Sequence, residues 1–97
     1  MNEQKNTEAF YKKLKEQLYD TTSWPSDYLY KFIVITDKTK LEKIEGIFDN
    51  LGAVIHTTPS KNGKYTSVSI NVTMENPEAV IAKYKEVAAN VEDVISL

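Results

Sequence analysis

AVIHTTPSKNGKYTSVSINVTM, Ala53 to Met74, is the stretch that decides the fold. Its centre is Asn62-Gly63, a dipeptide that suits the left-handed backbone of a tight hairpin turn. After the turn, Thr66, Val68, Ile70, Val72 and Met74 alternate with Tyr65, Ser67, Ser69, Asn71 and Thr73. A period of two with one apolar and one hydroxyl-rich face predicts a strand with one side packed and one side open. Two strands are therefore expected, Ala53–Lys61 and Lys64–Met74. Their register poses a conflict. A two-residue turn pairs Ile55 with Ile70 and sends Ile55 inward, but puts Pro59 where an N–H should donate. A three-residue loop frees Pro59 and turns Ile55 outward. A bulge between Thr57 and Pro59 would meet both demands and is the expected solution, with this strand at the sheet edge.

Outward from the hairpin, Tyr28 to Thr36 is dense in aromatic and β-branched residues and reads as a central strand covered on both faces. Asp37 or Thr39 then caps a helix carrying Leu41, Ile44, Ile47, Phe48 and Leu51 at helical spacing, stopped by Gly52. Beyond the hairpin, Asn76-Pro77-Glu78 is a helix start: a cap, Pro at the first helical position and an acid against the dipole. Val80, Ile81, Tyr84, Val87 and Ala88 form the expected buried stripe, Asn90 closes the helix, and Val91 to Leu97 is a last strand.

The order β-α-β-β-α-β with right-handed crossovers predicts an α+β ferredoxin-like sandwich. Its four-stranded antiparallel sheet has the order 4-1-3-2, with two helices on one face. An extra helix precedes it: Thr7 is the expected cap, Phe10, Tyr11, Leu14 and Leu18 share a face, and residues 1–6 are expected to fray. Residues 1–27 are thus read as an N-terminal helix with its connecting loop, and 28–97 as the ferredoxin-like domain. The apolar face of the leading helix is expected to bury on the open sheet face or against a second chain.

Composition limits the chemistry. The 97 residues hold twelve basic and fourteen acidic side chains, a net charge of −2, and every basic one is Lys. Without Arg or a basic excess, nucleic acid is disfavoured as a partner. Without Cys there are no disulfides, thiolate nucleophiles or thiolate metal sites. No apolar run approaches a membrane span and no apolar leader follows Met1, so a cytoplasmic location is expected, with no membrane partner.

Two stretches are familiar. SWPSDYLYKFIVI, Ser23 to Ile35, resembles the Phe-Pro-x-x-Tyr-x-x-Lys-apolar run into the first strand of the YbeD-like family of small bacterial proteins. PSKNGKYTSVSI, Pro59 to Ile70, is similar to that family's hairpin. Trp24 stands where the family more often has Phe, and Val34 and Ile35 where many members have Gly. The resemblance covers roughly residues 20 to 97. It implies a ferredoxin-like fold close to amino-acid-sensing ACT domains and no agreed activity. A regulatory role near lipoate metabolism has been proposed for relatives.

No catalytic constellation stands out. His56 is the single His and has no carboxylate at ligand spacing, so neither a metal nor a cofactor is expected. Glu42, Glu45 and Asp49 read as the solvated side of a helix, and Glu92-Asp93 as exposed acids of the last strand. Ser67 and Ser69 lack a base, unless Lys31 on the neighbouring strand supplies one; a Lys lying across an open face is the simpler account. The surface that remains is the open sheet face. It is expected to carry Lys31, Tyr65, Ser67, Ser69 and Asn71, a mix of hydroxyls, one amide and one cation. The expected function is a non-enzymatic ACT-like regulatory or interaction module binding a small polar ligand or a protein partner there, with homodimerisation through the leading helix or the sheet. The alternative is a single-stranded RNA-binding module on the same fold.

Overall fold

A computed structural model describes residues 3–96, with side chains from residue 7. The elements are α1 (Glu3–Thr21), β1 (Ser26–Ile35), α2 (Lys38–Phe48) running into a single 3-10 turn (Asp49–Leu51), β2 (Val54–Pro59), β3 (Tyr65–Met74), α3 (Pro77–Asn90) and β4 (Ile95–Ser96). The sheet is four-stranded and antiparallel in the order β2-β3-β1-β4, which is 4-1-3-2 counted from the other edge. This α+β arrangement is compatible with the ferredoxin-like plan.

Local chemistry accounts for the helix ends. The Asp37 carboxylate accepts from the N–H groups of Thr39 (2.8 Å) and Lys40 (3.3 Å), which makes Asp37 the cap of α2. Asn76 Oδ1 accepts from Ala79 N–H at 2.8 Å, and Pro77 follows at the first helical position. Gly52, at φ +69°, supplies the left-handed residue that ends the 3-10 turn. The start of α1 differs from expectation. Residues 3–6 are helical, so Thr7 lies inside the helix and does not cap it. Residues 1 and 2 lie outside the described residues. The Trp24–Pro25 peptide leading into β1 is cis.

The hairpin resolves the Pro59 conflict without a bulge. Pairing runs unbroken from Val54↔Asn71 through Ile55↔Ile70 to Pro59↔Thr66. Ser60 N–H donates to Tyr65 O (2.7 Å), and Thr36 N–H donates to Lys64 O (2.9 Å). Bonded and unbonded pairs alternate along an antiparallel ladder, so these two bonds set its phase. On β2 the even-numbered residues turn their backbone groups toward β3, and Ile55, Thr57 and Pro59 turn theirs to the free edge. Pro59 therefore needs no N–H. The loop makes the difference: Ser60 O accepts from Gly63 N–H (2.9 Å), Asn62 Oδ1 accepts from Lys64 N–H (3.0 Å), and Gly63 sits at φ +76°. Four residues, not two, separate the closing pair Ser60 and Tyr65, and that shifts the ladder by one step.

The core lies between the sheet and the helices. Tyr30, Phe32, Val34, Val68, Ile70 and Val72 from the sheet meet Ile44 and Phe48 of α2 and Val80, Ile81, Tyr84 and Val87 of α3. Each full burial of such a side chain is worth about 1.5–3 kcal/mol. The ring of Tyr30 is 4.9 Å from those of Phe48 and Tyr84, and its hydroxyl donates to Val80 O at 3.0 Å. Thr66, the one non-aromatic polar side chain buried among the described residues, shares a 2.8 Å hydrogen bond with Thr36. Ala88, expected in the stripe of α3, is exposed, and so is Leu51, which the 3-10 turn carries off the helical face.

Three corrections bear on function. First, α1 does not cover the open sheet face. It packs beside α3, with the Tyr11 ring 6.4 Å from that of Tyr84, the Tyr19 hydroxyl bonded to Glu78, and Leu14 and Leu18 against the core. The helical layer thus holds three helices where two were expected, all on one side. Second, β1 is central but covered on one face only, because Leu29 and Ile35 remain 50% and 44% exposed. Its outward apolar residues gave the appearance of two-sided burial. Third, the last strand among the described residues is Ile95–Ser96, and Leu97, its expected end, lies outside them. Val91 ends α3, and Asp93 takes φ +55°, which breaks the extended run expected from Val91. Glu92 and Asp93 lie before the strand, not in it.

Candidate interaction face

The phase of the sheet sorts every strand residue onto one of two sides. The inner side is the core. On the outer side, registers align residues in rows across three strands: Leu29, Asn71 and Val54; then Lys31, Ser69 and His56; then Ile33, Ser67 and Thr58. Ile35 lies opposite Tyr65 at one end, and Asp27 opposite Thr73 at the other. Ile95 of β4 stands next to Ile33.

All five residues expected on this face are on it. Lys31 is the register neighbour of Ser69, while Ser67, Asn71 and Tyr65 belong to other rows. What surrounds them was not foreseen. Of the large apolar side chains that stay exposed, Leu29, Ile35, Val54, Tyr65 and Ile95 share this one face, and Ile33 is half-buried among them. The hydroxyls come from β3 and from Thr58 of β2, while Leu29, Ile33 and Ile35 of β1, Val54 of β2 and Ile95 of β4 supply aliphatic groups around them. The face is mixed: an aliphatic frame of Leu29, Ile33, Ile35, Val54 and Ile95 stands beside a polar band of Lys31, Ser67, Ser69, Asn71, His56 and Thr58.

His56 was also missed. The register Ile55↔Ile70 carries it to the side of Ser69 on the open face, a position that the Ile55 pairing already contained. His56, Ser69, Asn71, Val54, Leu29 and Asp27 border an open depression of about 400 Å³. Asp27 is engaged there, accepting from the Thr73 hydroxyl at 2.7 Å. Lys31 has no hydrogen-bond or ion-pair partner among the described residues, and neither Ser67 nor Ser69 bonds to it. No group of three or more His, Asp or Glu able to hold a metal ion occurs among the described residues. Nor is any described helix long and apolar enough to cross a membrane.

Residues 20–95 match the family described as protein of unknown function (DUF493). The chain belongs to that family. The match bears out the YbeD-like resemblance and takes in both stretches that carry it, Ser23–Ile35 and Pro59–Ile70. No curated protein and no solved structure matches the sequence. The family span in this DUF493 chain holds β1, β2, β3 and both core helices, begins at the last turn of α1 and ends at Ile95, the first residue of β4.

Proposed function

We propose that the chain is a non-enzymatic interaction module on the ferredoxin-like plan, close to ACT-type regulatory domains, whose open sheet face rests on a protein partner. One observation carries this reading: α1 joins the other helices and leaves the opposite side of the sheet bare, with Leu29, Ile33, Ile35, Val54 and Ile95 around Lys31. A contiguous exposed apolar surface rimmed by polar groups is characteristic of a protein interface. Aliphatic side chains spread over β1, β2 and β4 suit another protein surface, and the polar depression by Asp27, His56, Ser69 and Asn71 takes up only one end of the face. RNA is served less well. Single-strand recognition on a sheet uses several outward aromatic rings, whereas Tyr28, Tyr30 and Phe32 point into the core and Tyr65 alone faces out.

The test is site-specific photo-crosslinking in cells, with the probe at Leu29 or Val54 on the face and at Glu45 on the outer side of α2. A discrete adduct from the two face positions and none from Glu45 supports the reading. Equal adducts from all three positions, or none from the face, refute it. Salt-sensitive binding of a single-stranded oligonucleotide to the pure protein would replace it with the RNA-binding alternative.

A further inference from the structure

The fourth column of the sheet is only partly filled. β1 is ten residues long, yet among the described residues β4 pairs with it only at Phe32 and Ile33. The Thr36–Lys64 bond sets the phase of β1. Its even-numbered residues bond to β3, and its odd-numbered residues turn their N–H and C=O groups to the β4 side. Those of Asp27 and Leu29 meet no strand there among the described residues, and Asp27 O has only the adjacent Ser26 hydroxyl, at 3.3 Å. On the inner side of this gap lies a groove of about 220 Å³. Phe10, Tyr11 and Leu14 of α1, Tyr28 of β1 and Tyr84 of α3 line it, and Ser96 closes one end. The Tyr28 and Tyr84 hydroxyls bond each other at 2.8 Å, so neither asks a ligand for a polar partner. Phe10 stays 63% exposed. Residues 10–14 precede the span matched to the family, so this groove is built by what the chain adds to the family plan.

We propose that an extended segment of a protein partner enters this column antiparallel to β1, in line with β4, and seats an aliphatic side chain in the groove. Strand addition takes its affinity from main-chain bonds and its specificity from pockets for alternate side chains. Both are present here. Asp27 and Leu29 offer the donors and acceptors, and the residues of an added strand that fall opposite Tyr28 and Tyr30 point inward, toward the groove. A single strand fits where the edge of a folded sheet does not, because α1 holds the helical side of the same column. A folded sheet would bring its own packed layer against Phe10 and Leu14. A second copy of the chain meets the same obstacle: antiparallel pairing through β1 sets its helices on the same side, into the space that α1 fills.

A phage-displayed library of random peptides, selected against the full chain, supplies the probe. On the unaltered protein, amide hydrogen exchange at Leu29 should slow when a selected peptide is added, while the Tyr30 amide, bonded to β3, stays protected throughout. N-methylation of that peptide at alternate residues should abolish binding in one phase and spare it in the other. Phe10→Ala changes an exposed side chain, so it should keep the circular dichroism of the chain and weaken peptide binding about tenfold. If no selected peptide slows exchange at Leu29, the proposal falls. It falls also if the peptide that does so binds Phe10→Ala equally well, or tolerates N-methylation in both phases. A Leu29 amide already protected without peptide overturns it too, because the chain or a second copy then fills the column itself. The open face is read separately: a crosslinking probe at Val54 stands on β2, two strands away from this groove.

Discussion

Replacing Tyr30 by Phe removes one oxygen atom from the centre of the core. The Tyr30 side chain is fully buried, 4.8–4.9 Å ring to ring from Tyr28, Phe48 and Tyr84, and its hydroxyl gives its proton to Val80 O of α3 at 3.0 Å. Loss of one buried neutral hydrogen bond costs about 1 kcal/mol, the remaining contacts being those of the same ring. For a chain of this length that is a fall of about 5 °C in Tm. Urea denaturation followed by the fluorescence of Trp24, the single Trp, measures it. The same variant carries a pH signature. Burial, helped by the nearby Tyr28 hydroxyl, pushes the Tyr30 hydroxyl well above the ordinary tyrosine range, and burial with the Tyr28 hydrogen bond does the same to Tyr84. Below about pH 10 both states hold these protons and stability does not depend on them. Above it the unfolded chain releases them while the folded one keeps them, so stability should fall by about 1.4 kcal/mol per pH unit for each tyrosine. Tyr30→Phe should remove one such contribution from the alkaline slope. Equal or greater stability at neutral pH, or an unchanged alkaline slope, would refute the reasoning: the hydroxyl would then contribute nothing to holding β1 against α3.

Other substitutions test the layering and the backbone. Ile70→Ala, on the inner side of β3, should cost about 2–5 kcal/mol in urea denaturation, whereas Ser69→Ala, one residue away and facing outward, should change stability by no more than about 0.5 kcal/mol. Asn76→Ala removes the side-chain cap of α3 and should cost about 1 kcal/mol, read by thermal melting. Gly52→Ala meets no atom within 4 Å, so its expected loss of about 1 kcal/mol in Tm-derived stability reports the left-handed backbone alone.

The elements and their packed sides were legible where one pattern dominated. Asn76-Pro77 and Asp37 announced their helices, and the alternation from Thr66 to Met74 announced which side of β3 is the core, because capping and period-two burial act through neighbours in sequence. Where two long-range choices competed, local patterns were silent. Whether α1 sits beside α3 or across the sheet depends on the shape of the groove by Tyr84, not on the stripe Tyr11-Leu14-Leu18 that both solutions bury. The apolar frame of the open face was hidden for a related reason. Leu29, Ile33 and Ile35 alternate with Tyr30, Phe32 and Val34, and a continuous apolar run reads alike whether one face is covered or two. His56 followed from the Ile55 pairing, but the uncertain phase at Pro59 kept that pairing open, and a four-residue loop settled it.

The place of β1 in the sheet also has a kinetic side. Pro59 meets Thr66 around a single loop, while Ser26 must find Met74 across half of the chain. Local hairpins close in microseconds, and long-range pairing carries the larger closure entropy. The β2–β3 hairpin is therefore expected to form first and insertion of β1 beside it to limit the rate, an order that φ-values at Val68 and Phe32 would check. Until β1 arrives, β3 presents an unpaired edge and the bare side chains of Val68, Ile70 and Val72. Aggregation during synthesis or refolding would start from that species, and faster docking of β1 would suppress it more effectively than greater stability of the finished fold.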